Sequence, residues 1–149
     1  MATSPRYGTH KGLIGVDVLV RGVRETVNQA MINTALQIHE ILRGVPPRGT
    51  PIDTRWASNN GTLSVDTPRD DAIGTKPRSG TTVLPQSSAQ EVGIAAVVQF
   101  DSAKNSAIHI QNNAPYIARL NRGHSRQSPA GFVEMAIDEA MLSNGLLGV

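Results

Sequence analysis

The chain has 149 residues, 39% of them hydrophobic and 3% aromatic, and a formal net charge of +2. That length accommodates one domain with its own core, which must be built from Val, Ile, Leu, Ala and Met because large rings are scarce. With no cysteine, disulfides, thiolate zinc sites, iron–sulfur clusters and a cysteine nucleophile are excluded together, and the small net charge makes no case for nucleic-acid binding by itself.

Residues 1–15, rich in small and polar side chains, read as a flexible N-terminal arm without the apolar stretch of a signal peptide. A single domain is expected over 16–145. From Val16 to Arg43 apolar residues recur at steps of three and four: Val16, Leu19, Val20, Val23, Val27, Ala30, Met31, Ala35, Ile38, Ile41 and Leu42, with Arg21, Arg24, Glu25, Asn28, Gln29 and Gln37 between them. This is one stripe on an amphipathic helix of roughly 40 Å, capped by Gly44 and stopped by Pro46-Pro47. Asp53 is placed to N-cap a short helical turn through Asn59. Thr62 to Asp66 alternates and reads as a strand. Residues 67–88 are rich in Thr, Ser, Pro and Gly without periodicity, a long loop expected to order on assembly.

Ala89 to Phe100 reads as a short helix, although Gly93 and the β-branched residues run against it. Ser106 to Gln111 reads as a second strand. Pro115 opens a helix over Tyr116 to Arg122 that Gly123 ends, and Ser128-Pro129 launches a last helix stopped by Asn144-Gly145. The fold class is therefore α+β: a long N-terminal amphipathic helix packed on a small β-sheet, with short C-terminal helices.

The search for chemistry is mostly negative. His39-Glu40 lacks the second histidine of a zinc-protease motif, because Arg43 stands there. Gly123-His124-Ser125 begins like a nucleophile elbow but lacks the closing glycine and the preceding strand. No phosphate-cradling loop, metal-ligand spacing or cofactor motif is present, and the expectation is that the chain is not an enzyme. With no apolar run approaching about 18 residues, no membrane partner is expected. One basic group, Arg119, Arg122, His124 and Arg126, is either an ordinary solvated face, a set of partners for acids on a neighbouring subunit, or, repeated around a ring, a collar for a DNA backbone.

Two segments together resemble a known family. Thr50-Pro51-Ile52-Asp53-Thr54-Arg55-Trp56-Ala57-Ser58-Asn59-Asn60 resembles the T-P-V-D-T-G-x-A-R-x-N-W signature of tailed-phage neck and tail-completion proteins, the group that includes the lambda-like minor tail protein Z. The stretch from Ile108 to Val133, containing Asn113, Pro115, Tyr116, Arg119, Leu120, Gly123, Ser125, Gln127, Pro129 and Gly131, resembles that group's N-N-x-P-Y-A-x-R-L-E-x-G-x-S-x-Q-A-P-x-G-F-V block. Arg55, Ser58 and Gly61 stand where the family has Gly, Arg and Trp, and Asn121 where an acid is common.

The resemblance covers roughly residues 16–142. It implies a structural virion protein, assembled in the host cytoplasm, that joins or completes the tail at the head–tail interface as a ring-forming subunit. Implied partners are sister subunits, connector or stopper proteins, and tail-tube, terminator or tape-measure proteins. Packaged DNA is a further, non-specific partner for the basic group. In the matched blocks Pro51, Asp53, Thr54, Trp56 and Asn60 join the residues of the second block as those that fix backbone geometry. A tail terminator or connector adaptor is the neighbouring alternative, and a small DNA-binding module is the alternative of another class.

Overall fold

The computed structural model of the chain describes residues 11–81, 83–86 and 90–147. In chain order its elements are α1 (Lys11–Arg43), α2 (Trp56–Asn59), β1 (Gly61–Val65), α3 (Glu91–Val98), β2 (Ile108–Asn112), α4 (Ile117–Asn121) and α5 (Phe132–Ser143). The architecture is α+β, a long helix with a two-stranded antiparallel sheet and short C-terminal helices.

α1 has 33 residues, about 50 Å at 1.5 Å per residue. It begins before Val16, so Lys11 to Gly15 belong to the helix and not to an arm; the rest of the expected arm, residues 1–10, lies outside the described residues. At its far end the Gly44 N–H donates to the carbonyls of Glu40 and Ile41, at 2.9 and 3.1 Å. The apolar stripe divides in two. Ile32, Ala35 and Ile38 are buried against the body, whereas every residue from 15 to 27 is exposed.

β1 and β2 pair from Gly61 with Asn112 to Val65 with Ile108. β1 ends a residue sooner and β2 begins two residues later than the alternating runs imply, and Asp66 is the reason. It adopts φ 63°, which ends β1, and its carboxylate accepts the N–H groups of Ser106 and Ala107, which removes them from the ladder. α3 lies across β1 because residue 93 is glycine. A Cβ there would stand 2.2 Å from the Leu63 carbonyl oxygen, so a residue unfavourable to an isolated helix is what lets this one approach. Leu63, Val97 and Phe100 then close a core with Ile32 and Ala35.

α5 runs beside α1, with Asn144 Nδ2 donating to Gln37 Oε1 at 2.8 Å and an ion pair between Arg48 and Glu139. It starts at Phe132, later than Ser128-Pro129 implies. Gly131 takes φ 77° at its N-cap without a side-chain cap of its own. Instead Asn121, at the end of α4, accepts the Val133 N–H at 3.0 Å through Oδ1. The cap is supplied by a neighbouring helix, which local spacing does not reveal. Among the described residues, no helix is long and apolar enough to cross a membrane.

Candidate functional site

The two sequence blocks fold against one cleft of about 210 Å³, lined by Ile52, Asp53 and Trp56 from the first and Tyr116, His124 and Gln127 from the second. Trp56 stacks on Tyr116 with ring centroids 5.9 Å apart and planes inclined by 29°. Tyr116, the N-cap of α4, and Leu120, four residues on, pack with Ile117 on the buried cluster of Trp56, Ala57 and Ala114. The Gln127 amide holds the backbone of Ile52 as a neighbouring strand would. Its Nε2 donates to the Ile52 carbonyl at 2.8 Å and its Oε1 accepts the Ile52 N–H at 2.6 Å. Ser125 Oγ accepts the Gln127 N–H at 3.1 Å, and Ser128 Oγ donates to the Gly49 carbonyl at 2.7 Å.

The first block works differently from its sequence reading. Asp53 does not cap α2. It accepts from Ser79 Oγ at 2.5 Å and from the Gly80 N–H at 3.2 Å, and so fastens the long loop. The Ser79 hydroxyl, then the Gly80 N–H, with a smaller contribution from Lys76, hold its carboxyl below the usual range. Residue 55 is the N-cap of α2, in the left-handed region at φ 64° with no side-chain cap bond. This is the position at which the family signature has glycine, and an arginine there bears backbone strain.

The remaining anchors converge on the same loop. Asn60, fully buried, donates from Nδ2 to the carbonyls of Trp56 and Ile73 at 2.8 and 3.2 Å and accepts the Ile73 N–H at 2.6 Å. Asn113 Nδ2 donates to the carbonyls of Arg69 and Asp71 at 2.6 and 2.9 Å. The Trp56 indole donates to the Gly74 carbonyl, Leu84 N–H donates to the Thr54 carbonyl, and Lys76 lies 4.3 Å from the Tyr116 ring centroid. The described residues of this loop form neither helix nor strand, and hydrogen bonds join them to both blocks.

Pro51 and Thr54 are buried, while Pro115 and Pro129 are exposed at the entries to α4 and α5. Gly123 and Gly131 take φ of 88° and 77°. Arg119, Arg122, His124 and Arg126 are all exposed, and among the described residues none of them forms an ion pair with an acid. His124 Nδ1 sits 3.0 Å from the Arg119 carbonyl, so both His124 and Ser125 are engaged with the backbone of their own turn.

Several further polar residues hold this region, of which only Asn112 belongs to a block. Gln90 is buried and donates from Nε2 to the carbonyls of Asn59 and Gly61 at 3.0 and 2.6 Å. Asn112 Nδ2 donates to the Ala57 carbonyl at 2.9 Å. Hydrogen bonds from Asn105 and Ser106 bring the Asp66 carboxyl down to about 2. His39 is buried, its Nε2 has no hydrogen-bond partner among the described residues, and burial, aided by Arg43, lowers its pKa to about 4. It is therefore neutral at pH 7. His39 borders a second, apolar hollow of about 390 Å³ between α1, β2, α4 and α5. Among the described residues, no three His, Cys, Asp or Glu side chains group as metal ligands.

Comparison with protein-family models, with curated proteins and with solved structures returned no match.

Proposed function

We propose that the chain is a structural subunit of a tailed-phage neck, a ring-forming tail-completion protein that acts by holding geometry and not by catalysis. The observation that carries this reading is the convergence of the two family-like blocks on one cleft. There Trp56 stacks on Tyr116 and Gln127 clamps Ile52. Residues that share a likeness to a family need not meet in space; these do, and the Gln127 clamp fixes backbone, as a ring subunit requires for closure.

Two further observations support it. Arg55 takes a left-handed conformation at the position of the family's glycine. The first half of α1 leaves Val16, Leu19, Val20, Val23 and Val27 in solvent, an apolar strip of the kind that marks an interaction surface. In a ring, the exposed Arg119, Arg122, His124 and Arg126 would repeat around the axis and attract a DNA backbone without sequence preference. Sister subunits, the connector or stopper, and the tail-tube, terminator or tape-measure proteins are the partners this role requires, and the virion is its location.

The test is light scattering of the purified protein, alone and with connector proteins. A discrete ring, or a monomer that closes into a ring only on the connector, is the expected result. A monomer that ignores those partners overturns the reading. DNA binding by that monomer, weakening steeply with salt, would put the DNA-binding module in its place.

A further inference from the structure

We propose that the cleft between the two blocks is a seat for the phosphate backbone of duplex DNA, with Arg55 as its innermost cation. The inference rests on the DNA contact of the reading above and carries it from the α4 turn into the cleft. Arg55 and Lys76 line that cleft beside His124, Ser125 and Gln127. Arg78 adjoins Ser79 of the same lining, and Arg126 stands between Ser125 and Gln127. Arg119 and Arg122 lie in α4 and at its C-cap. Six of the chain's fourteen lysines and arginines therefore gather here, a concentration that the net charge of +2 does not register. The carboxylates bonded to this lining and to α4 are already occupied, Asp53 by Ser79 and Gly80, and Glu134 by the Asn121 amide.

Arg55 carries the inference. It is half-buried where the other five cations are exposed. Its φ of 64° lies in the left-handed region, where a glycine would sit without strain. Its Nε is buried, and among the described residues that atom has no hydrogen-bond partner and the side chain forms no ion pair. Backbone strain persists where it serves a ligand, and here the strained residue holds a charge without a partner at the wall of a cleft. The planar fork of a guanidinium matches the paired oxygens of a phosphodiester. Lys76, 4.3 Å from the Tyr116 ring centroid, adds a point charge at the same cleft. Ser125 Oγ accepts the Gln127 N–H and keeps its own proton to donate.

A lone anion would need the cleft and nothing more. The exposed cations continue past it through Arg119, Arg122 and Arg126, which suits a ligand of repeating charge; duplex DNA carries one charge per ~1.7 Å of its axis. Contacts of this kind position a duplex without reading its sequence.

The test is binding of the full chain to two duplexes of unrelated sequence, followed by fluorescence anisotropy from about 50 to about 200 mM salt. Arg55→Gly should weaken binding about tenfold at the lower salt and reduce the slope of log affinity against log salt by about one, equally on both duplexes. The same variant should unfold at a higher temperature, because its strain is gone. Lys76→Gln, at an exposed position, should match the loss of binding without the gain in stability, which keeps the test independent of folding. Arg24→Gln removes an equal charge from the exposed part of α1 and should change neither. Binding by Arg55→Gly and Lys76→Gln equal to that of the unaltered chain would overturn the proposal. So would an equal loss in Arg24→Gln, since net charge and not this cleft would then be at work. Absence of duplex binding by the unaltered chain, alone and on the connector, would overturn it too, and poly-glutamate held more tightly than DNA would assign the cleft to an acidic protein instead. The ring reading is judged by mass: a chain that binds DNA through Arg55 and never assembles keeps this inference and loses the ring.

Discussion

Replacing Asn60 with aspartate changes one atom's chemistry and almost no volume, so its cost isolates the polar network that fastens the long loop. The Asn60 amide donates to the carbonyls of Trp56 and Ile73 while accepting the Ile73 N–H, and the residue has no exposed surface. An aspartate keeps only the acceptor. When ionised it sets a buried negative charge against two carbonyl oxygens, and its pKa must rise far above the unfolded value of about 3.9.

A group whose folded pKa is raised is least costly at low pH and more costly as pH climbs towards that value. A rise of about three units corresponds to roughly 4 kcal/mol of additional destabilisation at pH 7.5 relative to pH 4. Urea unfolding of both proteins at the two pH values measures the difference, and comparison at each pH cancels titrations they share. A penalty independent of pH would refute the argument, because it would mean the residue 60 side chain reaches water in the fold.

Gly93→Ala should destabilise the protein by about 1–2 kcal/mol in chemical unfolding. The clash with the Leu63 carbonyl outweighs the gain of about 1 kcal/mol in helix propensity, and a stabilised variant would show that α3 does not lie this close to β1. Arg55→Gly should stabilise by about 1 kcal/mol, since it relieves the left-handed conformation at φ 64°; a loss in thermal unfolding would count against that conformation. His39 has a folded pKa of about 4, below the ordinary 6.5. Its contribution is present above pH 6.5 and is lost as pH falls towards 4, by up to about 3 kcal/mol. Replacing His39 with leucine should flatten the acid limb of the stability profile in that window.

The fold was legible where periodicity is long. α1 announces itself through steps of three and four, and the two strands through alternation. What sequence could not divide was the stripe on α1, because exposed valines and buried isoleucines read alike when burial depends on where α5 and the sheet end. Asp53 and Asn121 illustrate the second difficulty. An Asx residue before a helix invites a local cap, but Asp53 is used by Ser79 and Gly80, while the real cap of α5 comes from Asn121 eleven residues before that helix begins.

Gly93 illustrates a third. By propensity it argues against a helix, and only the distance to Leu63 explains it. The candidate site was readable as two blocks of residues through resemblance, and Tyr116 and Leu120 through their spacing. Gln90, which holds the same region, sits outside any pattern that spacing can register.

The most direct measurement is the mass of the purified protein by light scattering, alone and with connector proteins. A discrete ring, alone or only on the connector, is the predicted result, and a monomer that ignores those partners would contradict the neck reading.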